Sequence, residues 1–118
     1  AVIHRKRPTL FPAVPAIFAA INHHPHLKRY NLTSLRHCIS GGAPLPVEVK
    51  HHFEHNTGCV LVEGYGLTET SPVTHVNPLK GVNKPGSIGL PLPATIVEIM
   101  DPNMPDGDPL APLQKGEI

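Results

Sequence analysis

Residues 63–70, EGYGLTET, bring an aromatic ring, hydroxyls and a carboxylate into one short segment broken by glycines. Gly64 and Gly66 bracket Tyr65. Glycine permits positive φ and close approach of the backbone to a ligand, so the Tyr65 ring can lie flat against a planar group such as a purine. Thr68 and Thr70 offer hydroxyls that can donate to phosphate oxygens. Glu69 is the one carboxylate beyond the expected strand end, and it suits Mg2+, which commonly uses one or two carboxylates together with substrate phosphates. The segment is not a Walker loop, because no Gly-Lys-Ser/Thr follows. Nor is it a dinucleotide fingerprint, because Glu69 stands where the third glycine belongs. Taken singly, Gly-x-Gly is a tight turn, Tyr65 a packing residue, and Thr68 or Glu69 a helix cap or solvated surface. The combination is what points to a nucleotide.

Such a segment needs a scaffold, and the flanking residues supply one. Residues 9–11 (TLF) read as a short strand. Pro15 suits the first turn of a helix, with Val14, Ile17, Phe18 and Ile21 at helical spacing and His23, His24 and Pro25 at its end. Residues 35–40 (LRHCIS) read as a buried strand followed by the turn GGAPLP, 41–46. A second helix is expected over about 46–57, with Pro46 near its start, Val49 and Phe53 four residues apart, and Gly58 as the stop. Residues 59–63 (CVLVE) read as another strand. Strand, helix, strand is a βαβ unit with parallel strands. The predicted fold class is therefore α/β, with GGAP and EGYGLTE at the carboxyl ends of neighbouring strands, where open α/β sheets bind ligands. Residues 71–94 are rich in Pro and Gly, TIVEIM (95–100) reads as a strand, and 101–112 is a turn-dense connection. No linker separates two domains. Residues 1–118 are expected to form one unit, α/β to about residue 80 and β-rich from about 81.

Composition narrows the function classes. With 40% hydrophobic and 16% charged residues the chain has the makings of a core, not of a disordered segment. A formal charge of +1 gives no electrostatic case for nucleic acid or a membrane surface. No run approaches the ~20 apolar residues that span a bilayer, and no signal-peptide pattern is present. Cys38 and Cys59 do not make a disulfide framework and suggest a reducing, cytoplasmic setting. The chain starts at Ala1 in an apolar-basic stretch and stops at GEI (116–118), so a fragment is expected.

The motifs together resemble the adenylate-forming superfamily, which includes acyl-CoA synthetases, luciferases and peptide-synthetase adenylation domains. YGLTETSP (65–72) is similar to one signature of that family and ISGGAPLP (39–46) to a second. KPGSIGLPLP (84–93) resembles the stretch that follows, and GEI the opening of the next motif. The resemblance runs in collinear order over essentially the whole chain. Leu67, the GGAPLP form and TLFPAVPAIFAAI (9–21) look like the fatty acyl-CoA ligase branch, whereas Ala94 departs from a glycine common in relatives.

The resemblance implies specific roles. Gly42, Ala43 and Pro44 would line the adenine pocket. Gly64 and Tyr65 would frame the adenine, with the Tyr65 ring stacked on it. Thr68 would bind the α-phosphate and Glu69 the Mg2+, which makes these two the catalytic candidates. Gly41, Gly66 and Leu67 would border the acyl tunnel. The implied reaction joins a carboxylate to ATP as an acyl-adenylate with release of pyrophosphate, then passes the acyl group to CoA. ATP, Mg2+ and CoA are the implied cofactors and co-substrates. The family's Pro-Lys-Gly phosphate loop, ribose-binding Asp and lysine-bearing C-terminal domain are not in this sequence. The remainder of a parent chain is therefore an expected partner, and the isolated chain is expected to be inactive.

Other readings compete. His51 and His55 lie four apart on the second helix and could share a face, although no HExxH pattern accompanies them and a solvated face is the simpler account. His75, close after the segment, is a further candidate, facing the acyl or CoA side. Cys38 and Cys59 read as buried small hydrophobes, and residues 4–7 (HRKR) as a solvated basic turn. A ligase for a dicarboxylate or aromatic acid, or a nucleotide-binding module without chemistry, are the alternatives to a fatty acyl ligase.

Overall fold

Short aliphatic runs between prolines and glycines become the elements of one five-stranded sheet with helices packed against it. In the computed structural model, which describes residues 1–118, the elements in chain order are α1 (Val2–Lys6), β1 (Leu10–Ala13), α2 (Pro15–Asn22), β2 (His37–Ser40), α3 (Val47–Thr57), β3 (Val60–Gly66), β4 (Val73–Val76) and β5 (Leu90–Pro91). Pro15 occupies the first turn of α2, where its missing N–H costs no hydrogen bond. Pro46 lies just outside α3 as its N-cap, and Gly58 ends the helix at φ 71 with its N–H donated to Glu54 O. The basic residues expected in a surface turn instead form α1, which buries none of its side chains.

The sheet order is β1-β2-β3-β4-β5. β1 runs parallel to β2, from Leu10↔His37 to Ala13↔Ser40, and β2 parallel to β3, from His37↔Val60 to Ser40↔Glu63. These are the expected βαβ crossovers. One expectation needs correcting: β3 does not stop at Glu63. It continues through Gly64, Tyr65 and Gly66 and exchanges its parallel neighbour for an antiparallel one, with Gly64↔Val76 and Tyr65↔His75. The first half of EGYGLTET is thus strand rather than loop. Two glycines in four residues carry little intrinsic strand preference, and it is the pairing with β4 that makes them extended.

Alternation along β2 sends Cys38 and Ser40 inward while His37 and Ile39 are only half-buried. The inward face meets α2 and α3 in a core of Phe18, Leu32, Leu35, Cys38, Leu45, Phe53, Cys59 and Leu61. Phe18 and Phe53 cross edge-to-face with ring centres 4.9 Å apart, a geometry that aligns the positive ring edge with the negative face. No member of this core lies beyond residue 61. Residues 95–100 form no strand: Ile96 is 91% exposed, and only Met100 makes a bridge, to Glu117. A strand pattern is realised only against a partner ladder, and none runs beside this stretch. The molecule is accordingly elongated, 56 × 26 × 25 Å.

A buried cation ties α3 to β3. Lys50, 6% exposed, donates to Glu54 Oε1 at 2.7 Å and to the Leu61 carbonyl, while Glu54 Oε1 accepts from Leu61 N–H at 2.8 Å. Lysine sits this deep only when its charge and protons are matched. Lys50→Ala is expected to lower stability by about 1–3 kcal/mol, read as a fall in urea midpoint. Lys50→Met, which keeps the apolar stem, is expected to recover part of that loss. No recovery would mean that the ammonium, not the packing, carries the effect.

Candidate functional site: a cleft at the β2 and β3 strand ends

The parallel ladder ends at Ser40 and Glu63, and there the chain opens a cleft of about 380 Å3. Gly42, Ala43 and Pro44, from the turn after β2, line it together with Gly64, Tyr65, Gly66 and Leu67 from β3 and its exit. Two stretches about twenty residues apart in sequence are joined here by the βαβ register. Gly42 holds φ +80, a conformation that favours glycine, and so turns the chain back over the strand end. Gly64 and Gly66 do not need positive φ. Their requirement is close approach: a Cβ on Gly66 would fall 1.7 Å from Pro72 O.

Two further lining residues, Glu63 and Ile88, were not singled out from the sequence. Glu63 Oε1 accepts from Leu45 N–H at 3.1 Å and its carbonyl from Asn77 N–H at 2.9 Å, so one residue fastens both the GGAPLP turn and the chain after β4. Ile88 is carried in by Gly89, whose φ is +92 and whose Cβ would lie 2.2 Å from the Val76 carbonyl carbon. The glycine inside KPGSIGLPLP was the available signal.

Tyr65 is held from behind. Its ring meets His75 at 6.0 Å and 62°, and His75 is 5% exposed. The Thr74 hydroxyl lies 3.3 Å from Tyr65 O and 2.9 Å from His75 Nδ1. With its single proton donated to the carbonyl, the Thr74 hydroxyl accepts a hydrogen bond from Nδ1–H, which sets the imidazole tautomer. His75 therefore supports the Tyr65 strand instead of standing free beside the cleft.

Beyond Gly66 the chain makes a short 3-10 turn, Thr68–Thr70. Thr70, read from sequence as a phosphate donor, is committed elsewhere: its hydroxyl accepts from Leu67 N–H at 2.9 Å and lies 2.8 Å from Pro72 O. Its role here is to staple the turn. Thr68 and Glu69 are exposed and do not line the cleft. Gly41 is also outside the lining, with its N–H given to Ala13 O at 3.1 Å. His51 and His55 are exposed on α3, and no group of three His, Cys, Asp or Glu side chains is placed to hold a metal ion.

The sequence model for the AMP-binding enzyme matches residues 1–118, the whole length of the chain. The chain belongs to the AMP-binding enzyme family. Among the family's characterised proteins, it is 52% identical over 117 residues to a long-chain-fatty-acid–CoA ligase of Bacillus subtilis (strain 168), covering 99% of this chain and 20% of that protein. It is 36% identical to a feruloyl-CoA synthase of an Amycolatopsis species, over 98% of this chain and 23% of that one. Among solved family structures, an anthranilate CoA ligase in complex with anthranoyl-AMP superposes with a TM-score of 0.82 at 28% identity, covering 92% of this chain and 20% of the ligase. A benzoate CoA ligase from Burkholderia xenovorans LB400 gives the same score and identity over 97% and 22%. The chain thus spans about a fifth of the length of the relatives it matches. The α/β architecture read from the sequence is the one shared with these family members over the aligned stretch. No helix is long and apolar enough to cross a membrane.

Proposed function

We propose that the cleft between the GGAP turn and β3 is one wall of the ATP site of a fatty acyl-CoA ligase. The observation that carries this reading is the convergence of Gly42, Ala43, Pro44, Gly64 and Tyr65 on a single cleft. Its volume falls within the roughly 300–1,000 Å3 of small-molecule sites. Tyr65 supplies a planar surface braced by His75, and the glycines on either side leave that surface bare for an adenine to stack.

The groups that follow Leu67 suit the phosphates. The exposed Thr68 hydroxyl and Glu69 carboxylate take part in none of the chain's internal hydrogen bonds or ion pairs. Thr68 would donate to an α-phosphate oxygen, and Glu69 is the carboxylate that would hold Mg2+ alongside the phosphates. Mg2+, when bound, supplies Lewis-acid stabilisation of charge on the phosphoryl oxygens. Thr68 would add a hydroxyl donor to the same charge, the kind of electrostatic contribution that lowers such barriers. Gly41, Gly66 and Leu67 border the acyl path. The parent enzyme activates a carboxylate with ATP to the acyl-adenylate and then forms the CoA thioester, with the remainder of the chain completing the site.

The 52% identity to a long-chain-fatty-acid–CoA ligase favours a fatty acid. The feruloyl, benzoate and anthranilate ligases among the similar proteins support an aromatic acid as the second reading. Assay of the full-length parent for AMP formation across fatty, aromatic and dicarboxylic acids separates them. Fatty acids are expected to give the highest kcat/KM, and turnover of aromatic acids alone would replace the first reading with the second. Absence of AMP with every acid would sink the ligase reading. The 118-residue chain alone is expected to release no pyrophosphate.

A further inference from the structure

Cys38 on β2 and Cys59, immediately ahead of β3, meet inside the core with their sulfurs 3.5 Å apart. Both are free thiols, Cys38 wholly buried and Cys59 4% exposed. A buried cysteine is ordinarily a small hydrophobe. These two differ in touching each other and in the polar atoms gathered around one of them. Thr57 Oγ1 lies 3.1 Å from the Cys59 sulfur and accepts from Cys59 N–H at 3.3 Å.

The pair is asymmetric. The Cys38 S–H hydrogen-bonds to the Cys59 sulfur and lowers the Cys59 pKa to about 7; burial and the Glu54 carboxylate oppose this, and the Thr57 hydroxyl assists it. Cys38 is pushed up by the same hydrogen bond, by burial and by the negative charge next to it. Cys59 is thus the sulfur that ionises, and it is also the one with residual exposure. Reactivity of thiols follows thiolate character and access.

We propose that Cys38 and Cys59 form a peroxide-oxidisable dithiol that closes into a disulfide between β2 and the residue preceding β3. In the first step the Cys59 thiolate attacks one oxygen of hydrogen peroxide. The O–O bond breaks, Cys59 becomes a sulfenic acid, and the departing hydroxide takes up the proton that Cys59 lost on ionising and leaves as water. In the second step the Cys38 sulfur attacks the Cys59 sulfur and the S–O bond breaks. The departing hydroxide takes the Cys38 proton and leaves as water. Two thiols are oxidised by two electrons in all, and one peroxide is reduced to two molecules of water.

Closing the bond requires the sulfurs to come about 1.5 Å nearer, to the roughly 2.05 Å of a disulfide. The place of Cys59 makes that movement local: the β2–β3 ladder begins at His37↔Val60, so Cys59 is outside it. Cys38, by contrast, is held on both sides, paired with Phe11 and with Leu61. The partner outside the ladder is therefore the one that ionises.

Peptide mapping tests the proposal. The folded protein carrying residues 1–118 is treated with a few-fold molar excess of hydrogen peroxide, its remaining thiols are alkylated, and it is digested with trypsin. Cleavage after Arg36, Lys50 and Lys80 puts the two cysteines in separate peptides, 37–50 and 51–80. The expected result is a linked pair, two hydrogens lighter than the sum, as the major product in the monomer and undone by dithiothreitol. C38A removes the hydrogen bond that lowers the Cys59 pKa, so sulfenic acid is expected to form on Cys59 more slowly but, with no partner thiol, to be trapped by dimedone, whereas C59A should leave Cys38 unlabelled. Recovery of both peptides separately alkylated, or of Cys59 as sulfinic acid without a link, would overturn the proposal. If C38A does not fold, the map of the unsubstituted protein decides alone.

Discussion

Gly66→Ala is expected to break the β3–β4 hairpin rather than trim the cleft. The added Cβ would lie 1.7 Å from Pro72 O, 2.6 Å from Pro72 C and 2.7 Å from Val73 Cα. All three atoms are backbone, so no side chain can swing aside. The pairing already shifts register between Tyr65 and Gly66, and this irregularity is what lets the two chains come so close. Relief requires the strands to part, at a cost of about 3 kcal/mol or more, the upper end for overpacking. The unfolding midpoint should fall accordingly, and nucleotide affinity with it, because Tyr65 is paired through the same ladder. Gly58→Ala provides the scale. Gly58, unlike Gly66, holds positive φ, and a Cβ there meets nothing within 4 Å, so only the left-handed conformation is penalised, at about 1 kcal/mol. If the two variants lost equal stability, close approach would not be the reason for glycine at position 66.

Glu69→Gln is expected to lower kcat of the full-length enzyme by about 10²–10³-fold, the range for removing one electrostatic contributor to a charged transition state. The amide keeps the shape and removes the charge that Mg2+ requires. Stability should not change, since Glu69 is exposed on the turn after β3 and has no salt bridge. That separation of activity from stability distinguishes it from Gly66. A Glu69→Gln enzyme within threefold of the parent in kcat, at saturating ATP and Mg2+, would remove Glu69 from the proposed site.

Much of the scaffold is legible because its signals are local. Pro15 opening α2, Gly58 closing α3 and the aliphatic runs 35–40 and 59–63 act through backbone sterics and burial, which neighbouring residues largely decide. The parallel pairing follows from strand and helix order alone. The collinear motifs also mark most of the cleft, including Gly42, Ala43, Pro44, Gly64 and Tyr65.

The remainder depended on partners distant in sequence. Gly64 and Gly66 read as loop because glycine carries little strand preference, yet pairing with Val73–Val76 makes them strand. Residues 95–100 read as strand because their side chains suit one, yet no ladder lies beside them to complete it. Thr70 offered the same hydroxyl as Thr68, and only the fold of the turn commits it to Leu67 and Pro72 while leaving Thr68 exposed. Glu63 and Ile88 joined the cleft through contacts with Leu45 and Val76 that no local spacing encodes. Side-chain chemistry and chain order set what EGYGLTET can bind. Which of its atoms remain free to bind was settled by hydrogen bonds made across the fold.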